Sequence, residues 1–481
     1  MPKHTKNEMQ SQVQRLARNG IVLAIGGVVA QLAFTLLEIL VARKLGAEVY
    51  GIFVTAYAWT VLAAFLMELG TPLWTIQEGS RNHDRIPALL GSGLTVNLVM
   101  FAVLYLLLAM VINAVAPNPI LSFLLIILPY GLILTVQNGL AAVYASYQTM
   151  QVTALFQGLA PVSILAIYFL FSFNELSLAD VGSAYVIGGG IVTGIWFAVT
   201  LRKVRPLVSV SGIGTTLRSS YQYGLTGILG QVFFKTDIVM LSILAGPREA
   251  GIYAAAFKLV ELVYKVAVLS GRVFAPVIFK ASHESDKAFQ TFVSMMTRSL
   301  AIAGLLAGVV TFVLAEQLIL LMFGDSYAAS VPVLRILGGV MATLCMMVAL
   351  QLVLSSIDLH FQRVACLGTT LVTQIGAHAV LIPLFGAQGA AVATLFSGVL
   401  LISLYSYASS RRRDFRFVRW LLVPSCLAAI VAIIAVLVGM DALVGAVASV
   451  SLFLVALLAS GFARLDEIEF VFRSVVGKRT K

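Results

Sequence analysis

The stretch from Gln231 to Phe279, QVFFKTDIVMLSILAGPREAGIYAAAFKLVELVYKVAVLSGRVFAPVIF, decides how the rest of the chain is read. It reads as a helical hairpin apolar enough to cross a bilayer twice, yet its second limb carries Lys258, Glu261, Lys265 and Arg272. At about 100° per residue these four positions fall within about 60° of one another, so they form one stripe down a single helix face. Each charge near the bilayer centre would cost about 2.5–3.5 kcal/mol against lipid. The stripe must therefore face protein or a watered cavity.

Outward from this hairpin the composition tells the same story. The chain has 481 residues, 60% of them hydrophobic and 11% charged, with a mean hydropathy of +0.99. Soluble domains carry charge on about a quarter of their residues, so an ordinary soluble protein is excluded. The three cysteines, Cys345, Cys366 and Cys426, sit singly in apolar segments with no metal-ligand spacing and no disulfide framework. A net charge of +11 could suggest nucleic acid, but the basic residues form short clusters between apolar spans and no nucleic-acid motif is present.

The fold class is an all-α polytopic membrane protein. Fourteen stretches are long enough to cross about 30 Å of hydrocarbon: 19–42, 50–70, 89–115, 119–142, 152–172, 179–200, 222–245, 251–277, 299–321, 331–355, 362–384, 387–408, 418–438 and 442–462. With the N-terminus placed inside, 24 of the 32 basic residues fall on the inner face. Only Arg43, Lys44 and Arg248 fall outside, and Lys235, Lys258, Lys265, Arg272 and Arg335 lie within spans. A bias of about eight to one places both termini in the cytoplasm. The longest loops, near 71–88, 201–221 and 278–298, are all on that side, and no extramembrane catalytic domain is expected.

An internal repeat appears at an offset of 200, where Gly46-Ala-Glu-Val-Tyr-Gly51-Ile-Phe matches Gly246-Pro-Arg-Glu-Ala-Gly251-Ile-Tyr and Gln31 falls on Gln231. The stretches beginning at Asp180 and Ala387 are related at an offset of 207. The expected organisation follows: a basic segment at 1–18, a six-helix bundle at 19–200 and a linker at 201–221. A second, parallel six-helix bundle at 222–408 comes next, then a basic loop at 409–417, two extra helices within 418–462 and a tail at 463–481. Parallel halves of this kind usually hold substrate between them and move by rocking. Chance recurrence of Gly-rich hairpins is the competing reading.

Three stretches carry a family resemblance: the hairpin itself, LMFGDSYAASVPVLRIL at 321–337, and IPLFGAQGAAVATLFSGVLL at 382–401. Together with Arg43-Lys-Leu-Gly46-Ala-Glu-Val-Tyr-Gly51, which nearly meets an Arg-x-Leu-Gly-x-x-x-Tyr-Gly pattern, they resemble the polysaccharide-biosynthesis flippases of the multidrug/oligosaccharidyl-lipid/polysaccharide (MOP) exporter superfamily. The resemblance implies a bacterial inner-membrane protein that moves undecaprenyl-diphosphate-linked oligosaccharide across the bilayer for O-antigen, capsule or exopolysaccharide. Membrane lipids and other polysaccharide assembly proteins would be its partners. One alternative is a cation-coupled multidrug exporter of the same superfamily, which would favour an acidic, aromatic cavity. A membrane glycan polymerase or glycosyltransferase is a further alternative, but the outer loops are short and the five histidines do not cluster in sequence, so no catalytic residue and no metal site is assigned.

A sugar-diphosphate head group is anionic, and its passage needs a watered cavity with fixed positive charge. Lys258, Lys265, Arg272, Lys235 and Arg335 are the candidate substrate-binding residues. At about 1.5 Å per residue from Gly251, Lys258 lies near 10 Å, Lys265 near 20 Å and Arg272 near 30 Å of depth. A surface set of i,i+3 and i,i+4 ion pairs through Glu261, with Arg272 snorkelling, is the structural alternative. Asp237, Glu261 and Glu38 are the candidate ion-coupling residues, because a buried acid can exchange a proton or bind Na⁺ without any cofactor. For Asp237 and Glu261 the structural alternative is neutralisation of a nearby lysine. Glu68 is weighed with these acids, but close to a span end it reads first as solvated. The first half is poorer in charge: Ala58, Val61 and Phe65 stand at the positions that match Lys258, Glu261 and Lys265. Tyr57, Trp59, Asn97, Gln137, Asn138 and Gln157 could meet sugar, but read first as polar packing residues.

Overall fold

The computed structural model describes residues 3–173, 176–207, 211–284, 286–410, 445 and 448–453, and the regular structure among them is helical. Among the described residues nine stretches are long and apolar enough to cross a membrane. Two of the nine are double. Helix α1 (Lys3–Glu68) is interrupted at Gly46, φ 74°, and α12 (His360–Ser410) at Gly386, φ 54°. Both breaks fall where the sequence separates neighbouring spans, and both use a backbone conformation that favours glycine. With α8 (Pro247–Glu284), twelve helical limbs follow one another in the expected order. The spans at 418–438 and 442–462, the loop at 409–417 and the tail at 463–481 lie almost wholly outside the described residues.

The chain forms two compact units, Met1–Gly251 and Ile252–Lys481. The first contains α1, α2 (Thr71–Arg81), α3 (Ile86–Ala114), α4 (Pro119–Ser146), α5 (Met150–Phe171), α6 (Leu178–Leu201) and α7 (Ser211–Leu244). Its helix starts are written in the sequence. Asn118 accepts from the Ile120 and Leu121 amides ahead of α4, and Ser177 with Asp180 forms a capping box ahead of α6. Rings fill its interior: Tyr185 packs against Phe53 at 5.5 Å and edge-on against Tyr130 at 5.2 Å, while Trp196 stacks on Phe156 at 5.3 Å. At the far end of α6, Lys203 sits over the Tyr147 ring at 4.2 Å.

Two local results depart from the sequence reading. The stretch at 71–88 is not simply loop: α2 forms there and buries Thr71, Thr75 and Gly79, one small residue per turn. Ser146 of α4 donates to the Thr75 carbonyl, and Tyr223 of α7 donates to Gln77. The helix is too short and too polar to read as a span, and its apolar Leu73, Trp74 and Ile76 lie off the buried row, which is why sequence reading passes it over. In addition, α7 begins at Ser211, within the expected linker.

The 200-residue repeat has a direct structural expression in this unit. Gly46 and Gly246 both take positive φ, 74° and 91°, and each ends one helical limb and starts the next. The two turns then pack on each other. A Cβ on Gly51 would fall on the Pro247 carbonyl, and a Cβ on Gly251 would fall on the Ala47 carbonyl. The offset exchanges 47 with 247 and 51 with 251, so the contact is reciprocal, and recurrence by chance does not account for it.

The second unit contains most of α8, then α9 (Asp286–Val313), α10 (Ala315–Phe323), α11 (Ser330–Ser356) and α12. Its core joins Ala267 of α8 to Phe289, Val293 and Met296 of α9 and to Val348, Ala349 and Val353 of α11. Helices α9 and α11 approach closely through Gly308 and Gly338, the small-residue contact that lets membrane helices gain dispersion and backbone contact in place of a hydrophobic drive. The expected span at 299–321 is divided between α9 and α10, and α10 is anchored by the buried rings of Phe323 and Tyr327.

Candidate functional site

In the second unit the stripe on α8 resolves into parts. Lys258 is buried, 7% exposed, and its Nζ donates to Glu261 Oε2 at 2.7 Å. The i,i+3 spacing that put both on one stripe is what allows the bond. Glu261 is half-open, with a quarter of its side-chain surface exposed, so one end of the pair reaches the unit's surface. Lys265 and Arg272 are exposed one and three turns further along. Arg335 on α11 is half-buried, and its Nε has no hydrogen-bond partner among the described residues. Lys258 and Glu261 are thus brought into contact, while Lys265 and Arg272 continue the same face as exposed cations.

The first unit holds the other candidates. Lys235 is half-buried on α7, and two residues on Asp237 is 2% exposed, accepting from the Ile238 amide at 2.8 Å. Glu38 is 7% exposed and accepts from the Tyr50 hydroxyl at 3.3 Å. Tyr50 belongs to the ring cluster, stacking on Phe53, which in turn stacks on Tyr57. Glu38 is therefore a buried carboxylate set against aromatic walls.

One acid was misread from sequence. Glu68 is not solvated: it is 5% exposed and accepts from Asn138 Nδ2 at 2.6 Å. The chain turns sharply after it through Leu69 and Gly70, both at positive φ, and α7 crosses directly on that turn at Gly224. Its partner lies 70 residues away, so position near a span end was the only local signal, and it pointed the wrong way. Of the polar residues weighed as sugar ligands, Gln137 donates to Thr193 at 2.7 Å and Asn138 to Glu68, which joins α4 to α6 and to α1. Asn97 is buried on α3, with its amide set among Met67, Gly93 and Thr135. These three are interhelical polar contacts. Trp59 and Gln157 are exposed and Tyr57 is half-buried.

Residues 16–282 match the family described as polysaccharide biosynthesis protein. The teichuronic acid biosynthesis protein TuaB of Bacillus subtilis (strain 168) is 24% identical over 295 residues, 58% of each chain. A protein of Haloferax volcanii named probable flippase AglR is 28% identical over 246 residues, 50% of each. The alignments therefore span 58% and 50% of the length of these relatives. Among solved structures, the lipid II flippase MurJ in an inward closed conformation superposes with a TM-score of 0.71 at 11% identity, covering 95% of this chain and all of that one. An inward-facing multidrug resistance MATE family transporter of the MOP superfamily gives 0.64 at 14% identity, covering 79% of this chain and 94% of the other. At such identities these likenesses show the fold alone. Since the match at 16–282 takes in more than half of its 481 residues, the chain belongs to the polysaccharide biosynthesis protein family.

Proposed function

We propose that the protein is a flippase that carries undecaprenyl-diphosphate-linked oligosaccharide across the bacterial inner membrane for surface polysaccharide synthesis. The supporting observation is the buried Lys258, in a membrane helix whose charged face continues through Lys265 and Arg272. Holding a cation in such a place is costly, and membrane proteins keep such residues in pairs or along the path of a substrate or ion. Family membership supplies the context, polysaccharide biosynthesis, and one relative carries the name flippase. A transporter rather than an enzyme is the consistent reading of those names.

In this proposal the two six-span halves, 19–200 and 222–408 with the linker at 201–221, rock about the substrate with both termini in the cytoplasm. Lys258, Lys265, Arg272, Lys235 and Arg335 stabilise the diphosphate at successive depths. Asp237, Glu261 and Glu38 take up H⁺ or Na⁺, so that the ion gradient drives one direction. Membrane lipids surround the spans, and other polysaccharide assembly proteins receive the cargo. The MATE-like fold is compatible with multidrug export, but the basic face of α8 suits an anion better than a cationic drug.

The test is mass spectrometry of the polyprenyl-linked glycan pool in a deletion strain, beside staining of its surface polysaccharide. Accumulated diphosphate-linked oligosaccharide with loss of surface glycan is expected. A normal pool and normal surface, with new sensitivity to cationic drugs, would overturn the proposal in favour of drug export.

A further inference from the structure

At the end of the second unit where α11 gives way to α12, a guanidinium stands in an unusual setting. Arg363 is half-buried, and its Nη1 donates to Ser355 Oγ at 3.0 Å. The Ser355 hydroxyl in turn donates to the Gln351 carbonyl at 2.8 Å, which fixes its oxygen as the acceptor for Arg363. Among the described residues no carboxylate pairs with Arg363. Tyr405, fully buried on the far limb of α12, lies near both Gln351 and Arg363. Tyr405 also lies near Tyr264, which follows Glu261 by three residues on α8.

Guanidinium carries five N–H donors in a rigid fork, and here a neutral hydroxyl accepts one of them. A partly dehydrated cation without an acid is costly unless it serves an incoming anion. Its fork matches the paired oxygens of a phosphate, which a lysine does not. We propose that Arg363, with Ser355 orienting it, is a phosphate-binding station for the diphosphate of a lipid-linked substrate. The station captures the head group at the membrane surface before it reaches Lys258. This rests on the flippase reading and on its orientation, which put residues 355–363 at the cytoplasmic face.

The shared chemistry is a membrane-anchored phosphate, and the experiment separates substrate from bulk lipid. Full-length protein in phosphatidylcholine nanodiscs is titrated with farnesyl diphosphate, for the wild type and for Arg363→Gln, Arg363→Lys and Arg205→Gln. Arg205 is an exposed residue of the first unit and serves as control. Arg363→Gln is expected to weaken binding at least tenfold and Arg363→Lys less, with Arg205→Gln within twofold of wild type and all melting temperatures alike. The station is overturned if the wild type does not bind the probe or Arg363→Gln binds as well as wild type. Displacement of the probe by an equal concentration of phosphatidylglycerol would also overturn it. Loss of the station alongside glycan accumulation in the deletion strain would leave the flippase reading intact. A normal glycan pool with Arg363-dependent binding would remove the flippase reading alone.

Discussion

Lys258→Met is expected to reduce surface glycan at least tenfold and to destabilise the protein in detergent. The two effects have different origins. Removing Lys258 leaves Glu261 without its 2.7 Å partner, and because a quarter of the Glu261 side chain is exposed the cost falls below the about 3–5 kcal/mol of breaking a fully buried pair from one side. Replacing both partners by apolar residues of similar volume is often neutral for stability. The double variant Lys258→Met with Glu261→Met is therefore expected to recover the melting temperature while glycan export stays at least tenfold down. Normal export by a stable double variant would make the pair a packing device and remove Lys258 from the binding site.

The second large effect is structural and lies at the repeated turns. Gly51→Val and Gly251→Val each put a side chain onto a backbone carbonyl, Pro247 in one case and Ala47 in the other. A carbonyl in a packed turn cannot rotate away as a side-chain tip can. Overpacking of this kind costs about 3 kcal/mol. Melting of purified protein, read by size exclusion after heating, should show a large drop for both and nearly the same drop, because the contact is reciprocal. Gly46→Ala, where positive φ is the sole obstacle and open space surrounds the Cβ, should cost only about 1 kcal/mol. Equal, small shifts for all three would show that the turns do not bear on each other.

Most of the fold is legible in the sequence because a bilayer allows so few solutions. Backbone groups must be satisfied within each helix, so length and hydropathy alone locate the spans. Glycine at 46 and 386 then marks where a continuous helical run reverses. The charged stripe on α8 is legible for the same reason, since helix periodicity fixes which side chains are neighbours within one element, and Lys258 meets Glu261 as spacing allows. What escapes is what depends on partners far along the chain. Glu68 is buried by Asn138 and by the crossing of α7 at Gly224, neither of which its own neighbourhood announces. Helix α2 is held by hydrogen bonds from Ser146 and Tyr223, which lie far along the chain. Arg363 counts, in sequence, as one more basic loop residue; the half-buried setting with Ser355 and Tyr405 gives it a different meaning.

The central claim is translocation of a lipid-linked diphosphate glycan, and reconstitution addresses it most directly. Purified protein is placed in liposomes whose inner and outer leaflets contain a labelled polyprenyl-diphosphate oligosaccharide, and an added glycosidase reports the fraction exposed outside. The account predicts that protein raises that fraction from the outer-leaflet share to nearly all of the label, and that Lys258→Met with Glu261→Met abolishes the rise. Label that stays protected at the same fraction with and without protein, in vesicles where an ion gradient has been imposed in either direction, would contradict it.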